Sequence, residues 1–156
     1  MSVSHRYLIQ GLEASPVVLT QLMKSAQPAI LDQKPDPERF SLREVVAHLA
    51  DWDSIWHERV EKIAKQAGAE IQGRDPDELA AKNNYPKQDP TASLKQFQEK
   101  RAKFVQTLKT LDEDKWSQMG VHSQYGKLSI QDVVQIALGH DGYHLQQVAD
   151  WINWKK

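Results

Sequence analysis

The sequence predicts an all-α protein, a four-helix bundle in which a long connection separates the second and third helices. Four segments place apolar residues three and four positions apart, which is the spacing of one helix face. Two of these segments begin with a capping motif, and the prolines and glycines are concentrated between segments. No stretch shows the alternation of apolar and polar residues that is typical of strands.

The length and charge of the chain limit its domain number and its partners. A chain of 156 residues has the length of one ordinary domain, and we expect a single four-helix-bundle domain over residues 1–156. The 20 Lys and Arg against 21 Asp and Glu leave a net charge of −1, which favours neither nucleic acid nor an anionic membrane as a partner. With no signal peptide and no membrane-length apolar run, we expect a cytoplasmic protein.

The first predicted helix contains a proline. Its apolar face follows the series Leu8, Leu12, Ser15, Leu19, Leu22 and Ala26, at steps of three and four. Pro16 interrupts this series. Either one helix is kinked at Pro16, or Ser15 caps a second piece that has Pro16 at its first position.

The second predicted helix begins at a capping box. Ser41 is followed three positions later by Glu44, so each side chain satisfies a free N–H of the first turn. The helix ends near Gly68, and the connection from 68 to 90 includes residues 76–82, which favour one or two helical turns. This connection is long enough to run the length of the bundle, so the second and third helices need not be antiparallel neighbours.

The third predicted helix opens at Asp89 and Pro90, and the fourth begins with a second capping signature at Ser129 and runs to about Trp154. The fourth helix has apolar residues on its inward stripe and on a second flank. Two explanations are open: the second flank forms a homodimer contact, or this helix is the central helix of the monomer.

Two histidines lie within the apolar stripe of the fourth helix. His140 and His144 are one turn apart, about 6 Å along the axis, so both rings can reach one ion between the helices. Two imidazoles in a bundle interior would otherwise have unsatisfied ring nitrogens. The alternative is two core histidines, each bonded to a carbonyl or a carboxylate.

A metal site needs a third ligand, and His48 is the best candidate because it lies at the edge of the apolar stripe of the second helix. His57 has Asp53 four positions before it, which looks like a surface contact. His5 and His122 lie near a chain end and in a loop. Three imidazoles leave a coordination position open, which is typical of catalytic metal sites.

Two stretches resemble a known family. Residues 39–51 place an aromatic and a hydroxyl residue before a capped helix that contains His48-Leu-Ala. Residues 125–146 end in His140-Asp141-x-x-His144-Leu-Gln. The order of these two stretches, their spacing and their flanking residues are similar to those of the DinB-like family. This family is related to YfiT-type metal-dependent hydrolases and thiol-dependent transferases. The resemblance implies a four-helix bundle with a long crossover between helices 2 and 3. It also implies a divalent metal, most often zinc or nickel, bound by His48, His140 and His144.

The functional hypothesis is a metal-dependent enzyme, a hydrolase or a thiol-dependent transferase, acting on a small-molecule substrate. Because the chain has no Cys, a thiol would have to come from a low-molecular-weight cosubstrate. Trp52 and Trp56 either line the substrate pocket or belong to the core. Asp141 either orients a ligand or makes a polar contact between helices. No residue is identified as the catalytic acid or base.

Two other hypotheses remain. In the first, the bundle is a non-catalytic metal- or ligand-binding module with a stress or interaction role; a fourth protein ligand would close the site, with no cavity beside it. In the second, the bundle is purely structural and binds no metal.

Overall fold

The computed structural model describes residues 1–154; the last two residues of the expected domain lie outside this range. The described part contains α1 (Val3–Lys24), α2 (Leu42–Lys65), α3 (Pro76–Lys82), α4 (Pro90–Thr110) and α5 (Ile130–Ile152). It also contains three short strands, β1 (Glu70–Ile71), β2 (Met119–His122) and β3 (Gly126–Ser129). The four long helices are the four predicted ones and form a bundle, so the predicted fold class is confirmed.

Helices α2 and α4 lie side by side and run in the same direction. Asp53 of α2 contacts Arg101 of α4, and further along both helices His57 contacts Thr107. Parallel neighbours cannot be joined by a short turn, because the chain must return along the length of the bundle. Residues 66–89, which include α3, make this crossover.

The other long helices complete a ring in the order α1, α5, α2, α4. Helix α5 runs parallel to α1, since His5 contacts Gln131 and a Cβ on Gly11 would lie 3.0 Å from Leu138. Because α5 packs against both α1 and α2, two of its flanks are covered within one chain. Ile136 on α5 remains exposed.

Both predicted helix starts have the expected hydrogen bonds. The Ser41 hydroxyl accepts from the backbone N–H of Glu44, and the Glu44 carboxylate accepts from the N–H of Ser41 at 2.7 Å. Ser129 and Asp132 make the same reciprocal pair at the start of α5. These local contacts satisfy N–H groups that the first turn leaves unpaired, and they fix where α2 and α5 begin.

Helix α1 continues through Pro16, so Ser15 does not cap a second piece. The Ser15 hydroxyl instead donates to the carbonyl of Gly11. Because proline has no N–H, the carbonyl of Leu12 lacks its usual partner within the helix. The Arg101 guanidinium donates to that carbonyl at 2.7 Å and replaces the missing bond.

The small sheet differs from the sequence expectation, which contained no strand. β1 pairs in parallel with β2, and β2 pairs antiparallel with β3. The buried positions of β2 are Gly120 and His122, so no apolar alternation marks this strand. A Cβ on Gly120 would lie 2.7 Å from Cγ1 of Ile63, which shows how closely the sheet approaches α2.

The bundle interior contains two large apolar clusters. One includes Leu12, Trp56 and Phe104, and the other includes Leu19, Leu49 and Phe97. Polar residues on α2, α4 and α5 form the candidate site described below. Within residues 1–154, none of the helices combines the length and the apolar character needed to cross a bilayer.

Candidate functional site

The bundle brings His48, His140 and His144 together. The ring centroids are 4.9 Å apart for His48 and His140, 4.6 Å for His48 and His144, and 4.7 Å for His140 and His144. One nitrogen from each ring lies within 4.8 Å of the others. His140 and His144 are one turn apart on α5, and His48 reaches them from the antiparallel helix α2.

Two of these nitrogens are in direct contact. Nε2 of His48 lies 2.8 Å from Nε2 of His140, while Nδ1 of each ring is buried without a hydrogen-bond partner among residues 1–154. A hydrogen bond at this distance requires that one Nε2 be protonated, since two lone pairs would repel. A cation between the rings would satisfy both lone pairs without that proton.

Gln147 fixes the orientation of His144. Its amide Nε2 donates to the carbonyl of Phe40 at 2.8 Å, so its Oε1 is the atom that faces the imidazole. That oxygen lies 3.0 Å from Nδ1 of His144 and only accepts, so Nδ1 is protonated and Nε2 has the free lone pair. Gln147 was not among the residues predicted from the sequence; its position three residues after His144, on the same helix face, was the available signal.

Burial keeps the three imidazoles neutral. Burial, together with the charges on the neighbouring rings, lowers the pKa of His48 to about 2. Burial also lowers the pKa of His140 to about 3 and that of His144 to about 4. Neutral imidazole is the form that binds a metal, so near neutral pH these rings need lose no proton to act as ligands.

A buried ion-pair network lies beside the histidines. Arg101 of α4 donates to Asp53 of α2 at 2.8 Å and to Asp141 of α5 at 2.7 Å, besides its bond to Leu12 of α1. One guanidinium therefore bonds the three other long helices. Asp141 has no hydrogen bond to a histidine within residues 1–154, so its contact is the interhelical one.

The expected surface contact between Asp53 and His57 is wrong. Asp53 is fully buried on Arg101, and burial raises its pKa to about 6 although the Arg101 charge opposes the shift. The ring of His57 instead contacts Thr107. A spacing of four on one helix made Asp53 and His57 possible partners. The Asp53 carboxylate instead bonds Arg101, a residue of another helix.

The other two histidines also lie outside the cluster, and both are buried. His5 stacks on Trp116 with ring centroids 4.0 Å apart. His122 belongs to β2, where its Nδ1 accepts from the backbone N–H of Gln124 at 3.2 Å. Neither residue was a predicted ligand, and both lie apart from the three clustered rings.

Two chambers that share lining residues adjoin the histidine cluster. The first, of about 380 Å³, is lined by all three imidazoles together with Trp52 and Arg74. The second, of about 340 Å³, shares Trp52, Arg74 and His140 with the first and adds Trp56. Trp52 and Trp56 thus belong to the apolar core and also line a cavity. A larger cavity of about 560 Å³ lies along α1 and α4, away from the imidazoles.

The donor set fits a divalent cation. Within residues 1–154, the cluster of metal-binding side chains consists of the three histidines, with no carboxylate in it. Three neutral nitrogen donors suit a divalent transition metal and leave at least one position for a further ligand. The first chamber supplies space for that ligand beside the rings.

Comparisons with known proteins agree with this architecture. A family model described as the DinB superfamily matches residues 12–148. The solved structure of YfiT from Bacillus subtilis is described as a probable metal-dependent hydrolase with an unusual four-helix bundle topology. It has a TM-score of 0.88 to this chain at 21% identity, covering 99% of this chain and 91% of that chain, which shows a shared fold. No curated protein matches the chain.

Proposed function

The chain belongs to the DinB superfamily, and on this premise we propose that it is a metal-dependent enzyme. His48, His140 and His144 would bind the divalent ion, with zinc or nickel as the metal. The observation that supports the proposal is the convergence of three neutral imidazoles, two of them buried and that of His140 half-buried, on the wall of a 380 Å³ chamber. A divalent ion at this position would lower the pKa of a bound water or thiol, which is the chemistry of a hydrolase or a thiol-dependent transferase.

The residues around the cluster position the ligands. Gln147 accepts from Nδ1 of His144 and so directs the Nε2 lone pair towards the other two rings. Hydrogen bonds of this kind fix both the tautomer and the orientation of a metal-binding imidazole. Arg101 bonds Asp141, the residue after His140, and thereby links this part of α5 to α4 across the bundle.

The chamber supports an enzyme over a closed metal-binding module. A non-catalytic site would have a fourth protein ligand and no adjacent cavity. Within the part of the chain that the structure describes, neither a fourth His nor a carboxylate joins the cluster, and a chamber lies beside it. A small-molecule substrate would enter this chamber, and a thiol cosubstrate would come from outside the chain, because the sequence contains no Cys.

Metal analysis of protein purified without an affinity tag tests the proposed site. We expect stoichiometric metal in the wild type and little in His144→Ala. His57→Ala is the matched control, because His57 lies on α2, as His48 does, but outside the cluster. Circular dichroism verifies that each variant is folded. Equal, near-zero metal in the wild type and His144→Ala would refute the proposal.

Cobalt substitution distinguishes a site with an open coordination position from a site closed by a fourth protein ligand. We expect Co²⁺ to bind the wild type and its visible spectrum to change when 2-mercaptoethanol is added, because a thiolate that enters the open position gives sulfur-to-metal absorption. A spectrum that does not respond to the thiol would indicate a fourth protein ligand and favour the non-catalytic module.

A further inference from the structure

The second chamber differs in charge from the first. The first chamber is lined by two arginines and two acids, Arg39, Arg74, Glu38 and Asp77, so its charges balance. The second is lined by Arg59 and Arg74 without any Asp or Glu. The arginine ion pairs of residues 1–154 are made by other arginines, Arg43 and Arg101, so neither Arg59 nor Arg74 has a carboxylate partner.

Four residues that line the second chamber, each with between 2% and 9% of its surface exposed, have a buried side-chain N–H without a partner among residues 1–154: Trp52, Trp56, Arg59 and His122. Nδ1 of His140, which also lines this chamber, is a further unpartnered atom and belongs to the histidine cluster. Indole and guanidinium N–H groups only donate. His122 accepts through Nδ1 from the backbone N–H of Gln124, so the proton of its neutral ring is on Nε2, which is the unpartnered atom.

The Arg59 guanidinium also lies over the rings of two tryptophans that line the second chamber. Its guanidinium carbon lies 4.9 Å from the ring centroid of Trp56 and 5.5 Å from that of Trp52. Burial lowers the pKa of Arg59, and the charge of Arg74 lowers it further. Buried donors without acceptors are costly, and an oxyanion supplies both the acceptors and the opposite charge.

The small sheet builds the far wall of the chamber. Arg74 follows β1, and His122 ends β2. The backbone N–H of Gly73 donates to the Ser123 hydroxyl at 2.9 Å, which ties the two segments together. A volume of 340 Å³ exceeds the roughly 150 Å³ in which an apolar cavity accommodates benzene, so the chamber has room for a ring-sized organic anion.

We propose that the second chamber binds an oxyanion group of the substrate, a carboxylate or a phosphate, through Arg59, Arg74 and the unpartnered donors. Trp52 and Trp56 would contact the apolar part of the same molecule. This assignment rests on the proposed function, because it places the reacting part of the substrate beside His140, which lines both chambers.

NMR titration of metal-free, ¹⁵N-labelled protein tests this subsite without any activity measurement. The probes are benzoate, phenyl phosphate and the neutral benzamide, at one ionic strength maintained with sodium chloride. We expect saturable shifts of the indole N–H signals of Trp52 and Trp56 with an anionic probe, and no shift of Trp116. Trp52→Phe and Trp56→Phe assign the two signals, and the tighter of the two anions identifies the preferred group.

Charge-removing variants test whether anion binding depends on the positive charge of Arg74. Arg74 is exposed, so Arg74→Gln should fold normally and weaken binding of the anion about tenfold, the effect of losing one charged hydrogen bond. Arg6→Gln, an exposed arginine of α1, is the matched control and should bind like the wild type. Benzamide should bind at least about tenfold more weakly than benzoate for the same reason.

The outcomes separate this subsite from the metal proposal. Equal binding of benzoate and benzamide, no loss in Arg74→Gln, or no saturable shift with either anion would overturn the subsite. Metal-free His144→Ala should still bind the anion, and Arg74→Gln should still take up metal. If metal binds but no anion does, the proposed function stands and the subsite is wrong. If an anion binds but metal does not, the subsite stands and the proposed metal site is wrong.

Discussion

Arg101 and Asp141 form a buried ion pair, 2.7 Å long, in which each side chain is only 2% exposed. Asp141 directly follows His140, so the pair joins α4 to the segment of α5 that presents two of the three clustered imidazoles. Because Arg101 also bonds Asp53 and the Leu12 carbonyl, the other three long helices meet at this one side chain. The network therefore determines how the helices that contain the histidines are held relative to one another.

Removal of Arg101 should destabilise the protein strongly. Arg101→Met would leave two buried carboxylates without their cation, which costs about 3–5 kcal/mol in the free energy of unfolding. Lys109→Met is the matched control: Lys109 is also on α4, but its pair with Glu13 is half exposed and should contribute under about 1 kcal/mol. Urea denaturation monitored by circular dichroism measures both, and similar losses in the two variants would contradict the assigned role of the network.

Replacement of Gln147 should weaken metal binding while the three ligands remain. In Gln147→Leu, Nδ1 of His144 loses its acceptor, and loss of such a partner lowers metal affinity about 10- to 100-fold. Gln147→Glu keeps an acceptor oxygen and should retain more of the affinity. Competition with a chromophoric chelator measures the dissociation constants. Gln146→Leu, at the exposed neighbouring position, is the control, and an equal effect there would remove the argument for Gln147.

The metal-free protein should lose stability as the pH falls below about 6.5. The folded-state pKa values of His48, His140 and His144, about 2, 3 and 4, lie below the ordinary value of 6.5. The unfolded chain therefore binds protons that the folded chain does not. The stability is fully present above pH 6.5 and decreases by up to about 1.4 kcal/mol per pH unit for each histidine as the pH falls.

Comparison with His48→Gln isolates this effect. Asp53, whose pKa is raised to about 6, works in the opposite direction, but it is present in both proteins and cancels in the difference. Between pH 6 and pH 5 the unfolding free energy of the variant should fall less steeply than that of the wild type. Urea denaturation across this range provides the measurement, and parallel curves for the two proteins would rule out the predicted coupling.

Gly120 should not tolerate a side chain, although it lies in a strand. A Cβ there would meet Cγ1 of Ile63 at 2.7 Å and the carbonyl of Ala69 at 3.1 Å, so Gly120→Ala should cost about 1–3 kcal/mol. Gly139→Ala is the matched control: nothing lies within 4 Å of the new Cβ, and alanine should stabilise α5 by about 0.5–1 kcal/mol. Thermal unfolding distinguishes the two, and a neutral Gly120→Ala would show that the sheet can move away from α2.

The four long helices were predictable because their signals are local. Apolar spacing and the capping boxes at Ser41 and Ser129 act within a few residues of the chain, and the structure confirms both caps. The same periodicity placed His140 and His144 on one inward face. The choice of His48 as their companion needed only its position near the apolar stripe of α2, and the three rings meet.

The sheet and the buried ion network depended on contacts between distant segments. β1 pairs with β2 across about fifty residues, and the buried positions of β2 are a glycine and a histidine, which leave no apolar pattern to read. Asp53 and Arg101 are likewise unremarkable as single residues in their helices. Only the packing of α2 beside α4 removes both side chains from water. The result is a buried ion pair that links the two helices.

The sequence by itself thus determined where the helices begin, which faces turn inward and which histidines can share an ion, because propensity, capping and periodicity are properties of neighbouring residues. Only the tertiary structure decided that Gln147 sets the tautomer of His144, that Arg101 bonds the other long helices, and that two arginines share a chamber without an acid. Each of these depends on a contact between segments that are remote in the chain, since the Phe40 carbonyl orients the Gln147 amide, and such contacts exist only after the helices have packed.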